Sequence, residues 1–300
     1  MKILICDPTA PDAIEAIRAA GHSVDIRDDI TPDALMEAIP AYHGMVVRSR
    51  TKVREPLIDQ ATNLKVIVRG GVGLDNIDVD YARSKGIAVL NTPAASTQSV
   101  AELTVGYLFA LARRLPQMTA SMRDGLWEKK KFKGTEIAAK TLGLVGVGRI
   151  GTAVAVRAAA LGMNVIAYDP YVEEWSMGEL VELADLFSRA DYISMHLPHT
   201  EETHHIIDAG AFKAMKDDVR IVNCARGGVI DEDALYDAIK AGKVAGAALD
   251  VYAEEPCNGH RLFELDEVLG SPHVGAGTRE ATGRVGAEVA EKMITYFKEN

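Results

Sequence analysis

The stretch Leu142-Gly-Leu-Val-Gly146-Val-Gly148-Arg149-Ile150-Gly151 decides how this chain is read. An apolar run enters a Gly-x-Gly-x-x-Gly turn, and a helical pattern follows. A second apolar run, residues 164–168, then ends at Asp169, eighteen residues beyond Gly151. In a strand–turn–helix–strand unit each glycine has its own task. Gly146 permits the tight turn, Gly148 lets the backbone come close to a pyrophosphate, and Gly151 lets the helix pack on the sheet. The helix start offers free N–H groups and the positive end of its dipole. A carboxylate at Asp169 accepts hydrogen bonds from both hydroxyls of a ribose and repels a 2′-phosphate. The pattern predicts a dinucleotide site, with NAD favoured over NADP.

The motif starts near the middle of the chain, so a domain-sized segment precedes it. Three hundred residues suggest two domains, and 48% apolar content supplies their cores. A net charge of −10 argues against a nucleic-acid partner. The start, Met1-Lys-Ile-Leu-Ile-Cys6-Asp7-Pro8, is too short and too soon acidic for a signal peptide. No apolar run reaches the length of a membrane span. Three scattered cysteines, Cys6, Cys224 and Cys257, suit a reducing cytoplasm better than a disulfide framework. Cys224 lies in an apolar run and reads as a buried, inert thiol.

Residues 1–95 alternate short apolar runs (2–6, 45–47, 66–68 and 88–90) with helical patterns at 11–20, 33–39, 55–61 and 78–85. That is a small parallel α/β domain without a Gly-x-Gly-x-x-Gly turn. Residues 97–114 read as one long helix, capped by Ser96 or Thr97. A second α/β run has strands at 142–145, 164–168, 192–195, 221–224, 247–251 and near 268–270. The amphipathic segment 279–298 is expected to return to the first domain. The expected division is 1–95 plus 279–300 against 96–278, two doubly wound parallel sheets joined by two crossings, with a cleft between them for a ligand.

Three residues fall at predicted strand ends or loops of the second domain: Arg226, Glu255 and His273. Ligands of open α/β sheets bind at such ends. A guanidinium at Arg226 can hold a carboxylate bidentately. Histidine titrates in the range a general base needs, and a neighbouring carboxylate fixes its tautomer. His196, His199, His204 and His205 do not have the spacing of a metal-ligand set, so no metal is expected. His196 and Leu197, at a strand end, are expected to border the cofactor.

Four ordered motifs resemble the D-isomer-specific 2-hydroxyacid dehydrogenase family. They are Val147-Gly-Arg-Ile-Gly151, Asn223-Cys-Ala-Arg-Gly-Gly228, Leu249-Asp-Val-Tyr-Ala-Glu-Glu-Pro256 and Ser271-Pro-His-Val-Gly-Ala276. The resemblance covers nearly the whole chain. It implies two Rossmann-like domains, with Arg226 holding the substrate carboxylate, His273 as acid/base and Glu255 as its partner. It also implies an NAD site lined by Gly146, Gly148, Arg149, Ile150, Gly151, Asp169, Leu197, Cys224, Ala225, Asp250, Gly275 and Ala276.

Within the family, three loops resemble those of members that oxidise D-3-phosphoglycerate: 47–53, 68–76 and 120–134. The resemblance places Arg48, Ser49 and Lys129 at the substrate, with the amides of Val72 and Gly73 on its carboxylate. Some relatives carry arginine where this chain has Lys129. Longer relatives continue into regulatory domains, so a chain ending at Asn300 is expected to be a short form. The resemblance further implies a homodimer. A reductase of an unphosphorylated 2-oxo acid such as glyoxylate or hydroxypyruvate stays open, as does a non-catalytic NAD-sensing protein.

Overall fold

The computed structural model describes residues 1–300, which form two compact units: Met1–Ser96 with Ala276–Asn300, and Thr97–Gly275. Relative to the expected division, Ser96 and residues 276–278 fall in the first unit. Thr278 has a local reason to do so, because its side chain accepts the Ala281 N–H and caps the last helix.

The first unit holds strands β1 (Lys2–Ile5), β2 (Ser23–Ile26), β3 (Gly44–Val47), β4 (Val66–Arg69) and β5 (Ala88–Asn91). Between them run helices α1 (Pro11–Ala19), α2 (Pro32–Ala38), α3 (Glu55–Gln60) and α4 (Val79–Ser84). The sheet is parallel throughout, in the order β2-β1-β3-β4-β5. Alternate strand residues serve opposite faces, as the two-residue period requires. Ile3, Ile5, Val46, Val66 and Val68 face a core shared with α1. Leu4, Met45, Val47 and Ile67 face one shared with α2, α3 and α4.

The second unit begins with α5 (Thr97–Arg113), α6 (Leu115–Arg123) and β6 (Thr141–Val145). Next come α7 (Arg149–Ala160), β7 (Asn164–Tyr168), β8 (Glu179–Leu180), α8 (Leu183–Arg189) and β9 (Tyr192–Met195). The unit closes with α9 (Ala209–Ala214), β10 (Val219–Asn223), α10 (Glu232–Lys240), β11 (Val244–Leu249) and β12 (Val268–Gly270). Its parallel sheet has the order β12-β11-β10-β9-β6-β7-β8. The strand order reverses between β6 and β9, the switch point where such sheets bind ligands. Helix α11 (Arg279–Glu299) belongs to the first unit and packs Val285, Val289 and Met293 into the core of α1.

The helix read over 97–114 is present as α5 and ends one residue earlier, because Arg114 takes a left-handed backbone (φ 54°); Pro116 then opens α6, a helix the sequence reading did not include, at its second position. Strands β2 and β8 went unread in the sequence. Each lies at a sheet edge, and only one residue of β2 is fully buried. No helix is long and apolar enough to cross a membrane.

Leu144, the fourth of five residues in β6 and fully buried, lies in one apolar cluster with Leu108 of α5 and Val154 of α7. Its truncation leaves a cavity that two helices cannot fill. Leu144→Ala should cost about 2–5 kcal/mol, read as a lower urea midpoint.

Candidate active site

The glycine turn follows β6 directly. Gly146 has φ +99°, and a Cβ there would lie 2.5 Å from the carbonyl oxygen of His196, at the end of β9. A Cβ on Gly151 would lie 2.3 Å from the carbonyl oxygen of Gly146. These two glycines are therefore required by close packing of the chain on itself. Gly148 differs, because a Cβ there meets only open space. It is also the N-cap of α7 and offers no side-chain cap, so the first-turn N–H groups face that space unblocked. Asp169, at the end of β7, accepts the Val147 N–H (3.0 Å) and the Tyr171 N–H (3.0 Å). An uncapped helix start, an open glycine and an acid tied to the turn fit the pyrophosphate and ribose of a dinucleotide.

Beneath the turn lies His196. Burial pushes its pKa down to about 3, so the ring is neutral, and its Nε2 pairs with Ser194 Oγ at 2.9 Å. It acts as packing under Gly151, where any side chain would begin 3.4 Å from the His196 Cβ. His199 Nε2 lies 3.0 Å from His204 Nδ1, and the His204 and His205 rings stack at 3.9 Å.

Arg226 sits in the turn after β10. Buried Asn223 brackets this turn, accepting the Ala225 N–H at 3.0 Å and donating to the Arg226 carbonyl at 2.8 Å. A Cβ on Gly227 would fall 1.7 Å from the Tyr252 carbonyl oxygen, so only glycine allows the Arg226 turn to lie against the loop after β11. That loop carries Glu255. Its Oε1 accepts the Tyr252 N–H at 3.2 Å, while its Oε2 lies 2.8 Å from His273 Nδ1. Because an ionised carboxylate only accepts, Nδ1 is the donor in this pair, and in the neutral ring Nε2 is the acceptor. Glu232, opening α10, steadies the same loop by accepting the Ala253 N–H at 2.8 Å.

His273 has a left-handed backbone (φ 52°), uncommon for a residue with a Cβ. Asp250, 1% exposed, holds the segment on either side of it. Its Oδ1 accepts the Val274 N–H at 2.8 Å and the Ser271 hydroxyl, and its Oδ2 accepts the Gly275 N–H at 2.7 Å. The structure thus brings Arg226, Glu255 and His273 onto neighbouring loops at the strand ends of one sheet. Asp250, expected at the cofactor, has its carboxylate engaged by the His273 loop.

The remaining expected residues are distributed as follows. Leu197 follows β9, Cys224 and Ala225 follow β10, and Gly275 ends the second unit, whereas Ala276 opens the returning segment of the first. Arg149 and Ile150 start α7. Lys129 is exposed in the loop after α6.

In the first unit, Arg48 and Ser49 follow β3 at the switch point of that sheet. The sequence reading missed what holds them, the 1%-exposed Asp7 at the end of β1. It accepts the Arg48 N–H at 2.6 Å and the Arg50 Nε–H at 2.9 Å. Arg50 also donates to the carbonyls of Cys6 and Asp28, so its guanidinium is committed to structure. Asn76 donates to the carbonyl of Arg48 at 2.8 Å, and Asn91 to that of Val72 at 2.6 Å. A buried acid joined to a loop about forty residues away leaves no spacing signal in a sequence.

Residues 105–275 match the family D-isomer specific 2-hydroxyacid dehydrogenase, NAD binding domain. The chain belongs to this family. It is 50% identical over 298 residues to a D-3-phosphoglycerate dehydrogenase of Methanocaldococcus jannaschii, covering 98% of this chain and 57% of that protein. It is 47% identical to a hydroxypyruvate reductase of Thermotoga maritima, covering 99% of this chain and 98% of the relative. The chain therefore spans little more than half the length of the first relative and nearly all of the second. Among solved structures, a D-lactate dehydrogenase of Aquifex aeolicus complexed with NAD and lactic acid matches with a TM-score of 0.88 and 30% identity, covering 100% of this chain and 96% of that one.

Burial pushes the thiol of Cys224 up to about 12, and burial followed by the charge of Asp7 does the same to Cys6. Cys257 is only partly buried. Native protein at pH 8 should release one equivalent of thiol to a disulfide reagent and denatured protein three; rapid release of two or more without denaturant contradicts this packing.

Proposed function

We propose that this chain is an NAD-dependent D-2-hydroxyacid dehydrogenase whose substrate is D-3-phosphoglycerate, oxidised to 3-phosphohydroxypyruvate. The observation that carries the activity is the His273–Glu255 pair, with Nδ1 committed to the carboxylate at 2.8 Å and Nε2 the acceptor of the neutral ring. Arg226 holds the substrate carboxylate in a bidentate fork. Nε2 of His273 takes the hydroxyl proton as the alcohol is oxidised, and Glu255 stabilises the imidazolium that forms. Bound NAD supplies the hydride acceptor, held by the turn at Gly146–Gly151 and by Asp169. Arg149, Ile150, Leu197, Cys224, Ala225, Gly275 and Ala276 complete its surroundings in this reading, while Asp250 acts there only by holding the 271–275 segment.

The phosphate preference rests on different support. Arg48, with its amide tied to Asp7, and the basic segment containing Lys129 are cations in an acidic protein. The Methanocaldococcus relative carries the corresponding name at 50% identity. Ser49 and the amides of Val72 and Gly73 are assigned to the same substrate. The Thermotoga relative, matched over nearly its whole length, supports a second reading as a hydroxypyruvate reductase.

One assay of NADH formation separates these readings. Phosphoglycerate dehydrogenase activity predicts turnover on D-3-phosphoglycerate well above that on D-glycerate or D-lactate. A preference for the unphosphorylated acids supports the reductase instead. His273→Gln should lower kcat by about 10²–10⁴ with NADH affinity retained. Near-full turnover of that variant would remove His273 from the mechanism.

We also propose a homodimer formed through the second unit. Phe109, Leu115, Met122, Leu126 and Trp127 are exposed apolar residues along α5, α6 and the segment that follows, with Trp127 80% exposed. Trp127→Glu should shift the mass measured by light scattering towards the monomer. A wild-type protein that is monomeric at micromolar concentration contradicts the assignment.

A further inference from the structure

A file of hydroxyls runs beneath His273. Tyr107, on α5 and 9% exposed, donates its hydroxyl proton to Ser271 Oγ at 2.5 Å. Ser271 donates in turn to Asp250 Oδ1. The direction is fixed by proton count: each hydroxyl has one proton, the carboxylate only accepts, and so Ser271 must receive from Tyr107. Asp250 passes the order on to the backbone, accepting the N–H groups of Val274 and Gly275 immediately after His273. The His273 N–H itself is donated to the carbonyl of Ser271 at 3.0 Å. The Tyr252 hydroxyl also reaches that carbonyl at 3.0 Å, sharing its one proton with the carbonyl of Leu249 at 3.0 Å. The backbone hydrogen bonds that flank His273 in its left-handed conformation thus pass through Ser271 or Asp250.

Tyr107 stands at the far end of this file, on a helix rather than on a strand-end loop. Tyr107 belongs to the same buried apolar cluster as Leu108 and Leu111, and a phenylalanine keeps its ring there. The hydroxyl is therefore separable from the packing. We propose that Tyr107 is a positioning residue, fixing the backbone of His273 through Ser271 and Asp250. The effect on turnover rests on the reading of His273 as the acid/base group. The effect on loop order does not.

Tyr107→Phe and Ser271→Ala, singly and together, test the relay on the full chain. Hydrogen exchange of the 271–275 segment should quicken by about five-fold in each variant, as one net hydrogen bond predicts. If His273 is the base, kcat on the preferred 2-hydroxy acid should fall by about five-fold. KM for that acid and Kd for NADH should stay within about two-fold. The double variant should be no worse than the more severe single one, because both cut the same file. Unchanged exchange, a lower kcat without faster exchange, or additive losses would each overturn the relay. If Tyr107→Phe does not fold, Ser271→Ala alone decides by the same criteria. A wild-type protein inactive on every 2-hydroxy acid defeats the dehydrogenase reading, while the exchange data still judge the relay.

Discussion

A carboxylate that is 1% exposed must find its hydrogen bonds inside the protein or suffer a desolvation penalty of several kcal/mol. Asp250 finds three, and all of them come from the segment between Ser271 and Gly275. The geometry of that segment is the consequence. Two successive amides must converge on one carboxyl group, so the residue before them is turned into a left-handed backbone, and that residue is His273. Its imidazole then meets Glu255, whose own loop is held down by Glu232 and by the contact between Gly227 and Tyr252. The arrangement of charged groups at this sheet end follows from satisfying one buried acid.

The first unit repeats the device. Asp7, equally buried, follows β1 and collects donors from the loop after β3. In each sheet an acid placed after one strand holds a loop that follows another. The positions differ with topology. Asp7 stands where the strand order of its sheet reverses. Asp250 follows β11, next to the edge strand of β12-β11-β10-β9-β6-β7-β8 and away from the reversal at β6. The glycine turn occupies that reversal, leaving the strands beyond β9 to carry Arg226, Glu255 and His273.

Much of this was legible in the sequence because it repeats a period or a motif. Buried parallel strands read as apolar runs, and the glycine turn with Asp169 announces itself by spacing. Edge strands β2 and β8 were not legible, since edges need not be apolar on both faces. Within the candidate site, Arg226, Glu255 and His273 were found because chemistry restricts which residue types serve. Asp7, Asn223, Glu232 and Tyr107 were missed because they act on backbone or on other side chains at sequence separations that no local pattern encodes. The end of α5 was legible to within one residue, whereas α6 was not: it starts straight after the left-handed Arg114 and buries only Ser121.

Val100, one turn into α5, packs against Gly275: a Cβ on that glycine would sit 3.3 Å from a Val100 methyl. These residues lie just inside the two ends of the second unit. That unit is thus one uninterrupted segment whose beginning and end meet in space. Seen in this way, the chain is a host domain with a guest inserted between residues 96 and 276. Neighbouring ends let such a guest be accommodated without stretching its host. They also make residues 97–275 a natural candidate for circular permutation, with the old ends joined by a short linker and new ones opened at an exposed loop.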